Sequence, residues 1–272
     1  MTKQASNFIG SIPQHYDRFL GPRIFHDFAD DLAGRVAKLI PGSVLELAAG
    51  TGIVTRRLRD ALPADCSLIA SDLNPPMLEV AKSKFKSDEK LRFEPADAMN
   101  LPYDDSSFDA VVCQFGIMFF PEKQRSYEEA LRVLKPGGSY IFSVWGPWEN
   151  NPFAQIAHEA VATFFPENPP GFYKVPFAYH DVDEIRESVS GAGFSRVTMQ
   201  NLQLTSAIPS ATEFATGLVF GNPLFEEITT RGGDPDQVCS AVATAIDEQL
   251  GGSMPLEALV INAYKDDQRR SI

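Results

Sequence analysis

The sequence predicts an α/β protein built on a mostly parallel sheet covered on both faces by helices. Two observations carry that prediction. Short apolar runs of strand length alternate with stretches of helical period from about residue 30 onward. The first of these runs then leads directly into a turn of small residues, Ala48-Ala-Gly-Thr-Gly52, and on into a helical pattern.

Taken in order, Leu32, Val36, Leu39 and Ile40 share one helical face ahead of the turn signal Pro41-Gly42. Val44-Leu-Glu-Leu-Ala48 reads as a buried strand and Val54 to Leu62 as the helix behind it. Leu68 to Asp72 is a second strand, followed by a helix over Met77 to Phe85. Leu91 to Pro95 is a third, shorter strand and Phe108 to Phe115 a fourth. Tyr127, Ala130, Leu131 and Leu134 recur at helical spacing. Leu134-Lys-Pro-Gly-Gly138 then reads as a helix stop and tight turn into a fifth strand, Ser139 to Trp145. Asp183 to Ala192 is helical, Gly193-Phe opens a strand through Leu204, and Ala258 to Tyr264 is a final strand, making seven. Two segments interrupt this rhythm: residues 147–180, rich in Pro and Phe, and the mostly helical residues 209–250. Both are expected to cover a site at the edge of the sheet.

With 272 residues, 36 acidic and 24 basic side chains give a formal charge of −12. The 44% hydrophobic content is enough for a real core and argues against disorder of the whole chain. A net negative surface repels phosphate backbones, so nucleic acid is not the expected partner. Cys66, Cys113 and Cys239 are widely spaced and form neither a disulfide framework nor a zinc-ligand pattern. They are expected as small core residues, and no metal site is expected. The N-terminus has no long apolar stretch of signal-peptide type, and no run approaches the roughly 18 apolar residues that span a bilayer. The expected location is the cytoplasm, with no integral membrane segment.

The sharpest feature is the strand-loop-helix unit Val44 to Gly52. Gly50 and Gly52 permit positive φ and close approach of backbone to a ligand at a helix N-terminus. Two acids then discriminate between ligands. Asp72 ends the second strand, where an acid takes both hydroxyls of a ribose. That fits either a dinucleotide or an adenosyl ligand. Glu46 lies inside an apolar strand, behind the loop, where it suits an amino group and is poor company for a pyrophosphate; the alternative is that it merely braces the loop. Asp97-Ala98 ends the third strand, where a carboxylate and the next N–H can read an adenine edge. Gln114-Phe-Gly-Ile-Met118 ends the fourth.

Together these motifs resemble the class I S-adenosylmethionine-dependent methyltransferases, specifically the type 11 group that includes ubiquinone/menaquinone-biosynthesis enzymes. The matching stretches are Glu46-Leu-Ala-Ala-Gly-Thr-Gly52, Ser71-Asp-Leu-Asn74 with Met77-Leu78, Pro95-Ala-Asp-Ala98, Asn100 to Asp109, and Leu134-Lys-Pro-Gly-Gly138. The likeness is strong over about residues 35–146 and looser beyond. Ala48 departs from the glycine frequent in that family. The resemblance implies a Rossmann-like fold with a seven-stranded, mostly parallel sheet in one methyltransferase domain. That domain would comprise an N-terminal helical cover over about 1–35, a cofactor-binding core over about 36–146, and acceptor-side segments 147–180 and 209–250.

It also implies S-adenosyl-L-methionine as cofactor, leaving as S-adenosyl-L-homocysteine. Glu46, Ala48, Ala49, Gly50, Thr51 and Gly52 would hold its methionine portion, with Tyr16 as the candidate contact to its carboxylate. Asp72 would hold the ribose, Leu73 and Met77 would flank the adenine, and Asp97 and Ala98 would read its edge. Gln114 and Phe115 would close the pocket. The expected reaction is transfer of a methyl group to a small, apolar or aromatic molecule. His15, His26, His158, His180 and Tyr173 are the available general bases if the acceptor is a hydroxyl; no catalytic residue is assigned. Two rivals stand beside this reading. A nicotinamide dehydrogenase wants a GxGxxG turn, which Ala48-Ala-Gly-Thr-Gly-Ile lacks at its first and last glycines. A protein that keeps the cofactor pocket without catalysis is the other. Asn74-Pro-Pro-Met77 imitates a DNA-methyltransferase motif, but it follows the wrong strand and ends in methionine.

Overall fold

A computed structural model describes residues 7–267. Residues 1–6, which belong to both the predicted N-terminal cover and the stretch scanned for a signal, lie outside the described residues, as do 268–272. Among the described residues, seven strands form one sheet: β1 (Ser43–Glu46), β2 (Ser67–Asp72), β3 (Leu91–Pro95), β4 (Phe108–Gln114), β5 (Leu134–Trp145), β6 (Arg196–Ala207) and β7 (Ser253–Tyr264). Their spatial order is β3-β2-β1-β4-β5-β7-β6. The first five run parallel, and β7 lies antiparallel to both β5 and β6. Val44, Leu45, Val111, Val112, Ile141 and Phe142 are fully buried. Such continuous apolar runs are what strands covered on both faces require.

Helices connect the parallel strands: α1 (Ile12–His15) passes through a π-wound segment, Tyr16–Phe25, into α2 (His26–Ala37) ahead of β1. The crossovers are α3 (Ile53–Ala61), α4 (Pro75–Lys82) and α5 (Lys123–Val133). Between β5 and β6 lie α6 (Pro152–Ala162) and α7 (Val182–Gly191); between β6 and β7 lie α8 (Ala211–Phe220), α9 (Leu224–Thr230) and α10 (Pro235–Leu250). The three cysteines are free and buried. No helix among the described residues is long and apolar enough to cross a membrane.

Two local expectations need correction. The helix ahead of β1 ends at Ala37, so Leu39 and Ile40 are not on its buried face but 39% and 78% exposed. A residue before proline is disfavoured in the right-handed helical region, and Ile40, ahead of Pro41, has φ +50°, outside the helix. Leu134 to Gly138 is not a turn before the fifth strand but a bulge within it. Phe108 pairs with Leu134, yet Ala110 pairs with Ser139, so β5 accommodates extra residues. Pro136 has no N–H for the ladder, and Gly137 takes φ +78° to turn the chain back. The Pro/Phe-rich segment, to which the sequence reading gave no element, contains a full helix, α6, whose Phe153, Ala154, Ile156, Ala157 and Val161 are buried at helical spacing.

Candidate functional site

Strand order reverses at β1, which has β2 on one side and β4 on the other, and the crevice outside the carboxyl ends of a sheet opens at such a point. The loop after β1 is fixed there by its own backbone. Leu47 N–H donates to Val112 O (2.8 Å), Ala49 N–H to Ser71 O (2.9 Å) and Gly52 N–H to Ala49 O (3.0 Å). Ala48, Gly50 and Gly52 have φ of +51°, +56° and +77°. For Ala48 that conformation costs roughly 1–2 kcal/mol, a cost glycine escapes. Across the crevice Phe115 also has a positive φ, +51°. Gly116 beside it is obligatory for packing, since a Cβ there would sit 2.6 Å from the Ala48 Cβ. Two left-handed non-glycine residues therefore face each other at the switch point, where strain commonly marks function.

Asp72 is buried at the end of β2 and braces the loop: its Oδ2 accepts from Gly50 N–H (2.8 Å) and its Oδ1 from Asn74 N–H (2.7 Å). Burial raises its pKa, with the Asn74 and Gly50 donors working against that. Asp97 accepts from Met99 N–H through Oδ1 (2.9 Å), which shapes the turn after β3. Glu46 is only 2% exposed, and its Oε2 has no hydrogen-bond partner. Burial pushes this carboxyl up to about 8, against a lowering by Thr55. Such an orphaned acid is costly unless a donor arrives. Gln114 donates from Nε2 to Phe25 O (3.2 Å), and its Oε1 is buried without a partner.

Three adjoining cavities meet here. The first, of about 120 Å³, is walled by Tyr16, Ala48, Gly50, Asp72, Leu73, Met77, Asp97, Ala98, Gln114 and Phe115. A smaller one, of about 30 Å³, lies behind the loop between Tyr16, Glu46, Ala48, Ala49, Gly50, Thr51 and Gln114. The third, of about 70 Å³, is aromatic: Phe8, Tyr16, Phe25, Phe115, Phe119, Trp145, Phe153, Phe172, Tyr173 and Phe177 line it. Tyr16 belongs to all three. Its ring stacks on Phe25 (4.8 Å) and meets Phe8 edge-on (5.9 Å), while Phe115 stacks on Trp145 (3.9 Å, 2° between planes).

Of the residues expected from the sequence to hold the cofactor, Gly52 alone lines none of these cavities. It turns the chain into α3 and faces α4 instead, where a Cβ would approach Ala81 Cβ to 2.9 Å. The four histidines also stand off the cavity walls. His15 packs on Phe19 and His158 against Trp148 (6.0 and 5.2 Å), and His180 Nδ1 lies 2.9 Å from Phe177 O. Burial lowers the pKa of His26. Tyr173 does line the aromatic cavity, but its hydroxyl donates to Leu218 O (2.8 Å) and burial raises its pKa, so it is a poor base. Among the described residues, no three His, Cys, Asp or Glu side chains are grouped to hold a metal ion.

Sequence reasoning missed Asp17, which accepts from Thr51 Oγ1 (2.7 Å) and pairs with Lys84, clasping the N-terminal segment to the loop. It also missed Phe8, Phe119, Trp145 and Asn222, which come from separate segments and share no spacing.

The strand order, the loop and the acid at the end of β2 define a class: α/β proteins with a ligand crevice at the switch point. A sequence profile described as a methyltransferase domain matches residues 45–142. The chain is 32% identical over 174 residues to demethylmenaquinone methyltransferase of Renibacterium salmoninarum, covering 60% of this chain and 71% of that protein. It is 40% identical over 106 residues to the demethylmenaquinone methyltransferase of Clavibacter sepedonicus, covering 39% and 42%. The chain belongs to the methyltransferase-domain family of class I S-adenosylmethionine-dependent enzymes. It spans about half the length of several curated relatives, 42%, 48% and 64% in three of them. Haemonchus contortus phosphoethanolamine N-methyltransferase 2, solved with S-adenosyl-L-methionine, superposes with a TM-score of 0.61 at 16% identity, over 93% of this chain and 56% of that one. That likeness shows the fold.

Proposed function

We propose that this protein binds S-adenosyl-L-methionine in the two cavities beside the loop and methylates a small apolar or aromatic molecule held in the third. The observation that carries the proposal is the junction at Tyr16 and Phe115. An acid-lined crevice and an aromatic chamber meet there across Tyr16 and Phe115, with Phe8 and Phe119 also common to both walls, as donor and acceptor of a group transfer require. When bound, the cofactor supplies an electrophilic methyl group on a sulfonium.

The chain's own residues fit that ligand. The orphaned Glu46 Oε2 behind the loop suits a cationic donor and, once ionised, repels a pyrophosphate. Asp72 and Asp97 keep acceptor capacity toward the first cavity after bracing their turns. Leu73, 58% exposed on that wall, and Met77 offer apolar flanks for a base. Ala98 stands at its edge, and Ala48, Ala49, Gly50 and Thr51 shape the small cavity. Gln114 and Phe115 close the far side, and Tyr16 separates cofactor from acceptor. Gly52 contributes by fixing the loop.

The aromatic chamber positions an acceptor and excludes water. With no histidine on its wall, acceleration comes from orientation, for which roughly 7–11 kcal/mol is available. The proposal takes the chain as one methyltransferase domain with cover segments, acting in the cytoplasm on small molecules rather than nucleic acid. The acidity of the chain supports the last point. The test is transfer of a labelled methyl group from S-adenosyl-L-methionine to a panel of aromatic acceptors. Demethylmenaquinone, named for the relatives, belongs in that panel alongside strongly charged acceptors. Turnover of apolar aromatic acceptors is expected. Turnover of charged acceptors alone, or tight cofactor binding without turnover on any acceptor, would overturn it.

A further inference from the structure

Phe119 lines both the cofactor crevice and the aromatic chamber, and Phe120 and Pro121 line the first. This stretch of wall is a 3₁₀ turn, Ile117–Phe119, in which Phe119 N–H donates to Gly116 O and Phe120 N–H to Ile117 O (3.0 Å each). Met118 O and Phe120 O are left to find donors elsewhere, and one side chain serves both. Lys123 Nζ donates to Met118 O (3.2 Å) and to Phe120 O (3.1 Å), and lies 5.0 Å from the centre of the Tyr179 ring. It does so from outside, in a cleft behind the wall that Met118, Pro121 and Tyr179 also line.

This lysine is badly placed by helix rules. It is the first residue of α5, where a cation opposes the helix dipole, and no acid in the first turn compensates. Its side chain is half-buried and, among the described residues, forms no ion pair; burial lowers its pKa and Glu184, across the cleft, raises it. The hold on two carbonyls offsets both costs, and residues that break local rules in this way gather at functional sites.

We infer that Lys123 is a positioning residue for methyl transfer: its ammonium pins Met118 O and Phe120 O and so holds Phe119 as the partition between cofactor and acceptor. The role rests on the reading of those cavities given above, and adds a residue that lines none of the three. With the ammonium removed, two carbonyls lose their donor and the turn is free to relax toward the cleft. Phe119 then loses its edge-on contact with Phe8 (6.1 Å) and its stacking on Phe172 (6.3 Å), and the acceptor loses a surface that aims it. Asp72 and Asp97 lie on other segments, braced by other partners.

Lys123→Met keeps the stem and removes the charge, with Lys123→Gln in its place should that variant fold poorly; Lys123→Arg keeps a cation with several donors. Methyl transfer is measured at saturating S-adenosyl-L-methionine with the aromatic acceptor that the wild-type chain turns over fastest. S-adenosyl-L-homocysteine affinity is read by calorimetry on the same proteins. Lys123→Met is expected to lower kcat about 10- to 100-fold, the effect of a small misplacement of a reacting group. Its S-adenosyl-L-homocysteine affinity should stay within about twofold of wild type. Lys123→Arg should recover most of the rate, and Lys123→Met should cost little more once Phe119 is replaced by leucine. An unchanged kcat in Lys123→Met, losses that simply add in the double variant, or an equal loss of S-adenosyl-L-homocysteine affinity would overturn the positioning role while leaving the cofactor site standing. Wild-type protein that methylated no aromatic acceptor would overturn the reading of the cavities, and the role of Lys123 with it.

Discussion

Glu46→Gln separates stability from binding, and the two effects should run in opposite directions. In the folded chain burial holds this carboxyl near 8, against an ordinary value of 4.5. Between those values the unfolded chain has lost its proton while the folded chain keeps it, so folding becomes less favourable as pH rises. The cost is absent below about pH 4.5, reaches about 3 kcal/mol at pH 7, and levels off above the folded value. A glutamine has no such titration but leaves its own amide incompletely bonded, which returns roughly 1–2 kcal/mol of the gain. The ligand-free variant is therefore expected to be about 1–2 kcal/mol more stable than wild type at pH 7, a rise of roughly 2–6 °C in Tm. The sharper signature is the slope: the gap between variant and wild type should widen by about 3 kcal/mol between pH 5 and pH 8. Denaturant unfolding at four pH values reads it directly. S-adenosyl-L-homocysteine affinity should meanwhile fall about 10- to 100-fold, since the ammonium loses its charged partner. A gap that did not change with pH, or a variant less stable than wild type at pH 8, would refute the electrostatic account of Glu46.

Four further outcomes follow from the same geometry. Binding of S-adenosyl-L-homocysteine at pH 7 should release close to one proton, because an arriving ammonium ionises a carboxyl that is mostly protonated in the free protein. Calorimetry in two buffers of different ionisation enthalpy measures it, and affinity should rise as pH climbs toward 8. Asp72→Asn removes one of two acceptors while keeping the other for Gly50 or Asn74, so it should weaken cofactor binding about 10- to 100-fold with a modest loss of Tm. Gly116→Ala should destabilise the chain strongly through contacts of 2.6 and 2.7 Å with Ala48 Cβ and Cys113 Sγ. Adding Ala48→Gly should recover part of the loss, and a double-mutant cycle gives the coupling. Alanine at His15, His26, His158 or His180 should reduce methyl transfer by far less than the roughly 100-fold that loss of a general base brings, as rates on one acceptor will show.

The parallel half of the sheet was legible because buried strands write themselves as uninterrupted apolar runs, as in Val44-Leu45 and Ala110 to Cys113. Glu46, Asp72 and Asp97 were legible for a related reason: an acid at the end of such a run stands out against its neighbours. The errors fell where local conformation breaks the pattern. Leu39 and Ile40 continue the helical period in sequence, but the chain must leave the helix before Pro41. The bulge in β5 looks like a turn because Pro136 and Gly137 serve either role. The aromatic chamber was visible only as a composition bias in 147–180. Its other walls, Phe8, Phe25, Phe119 and Trp145, come from distant segments that only the folded chain brings together. The orientation of Gln114 was illegible altogether, since it depends on one backbone carbonyl 89 residues away.

The central claim is that the loop and its acids select an adenosyl ligand with an ammonium tail over a dinucleotide. Parallel calorimetric titrations of the wild-type chain with S-adenosyl-L-homocysteine and with NAD test it most directly. One-to-one binding of S-adenosyl-L-homocysteine with no detectable NAD binding is the predicted result. Saturable NAD binding in a chain that ignored S-adenosyl-L-homocysteine would contradict it.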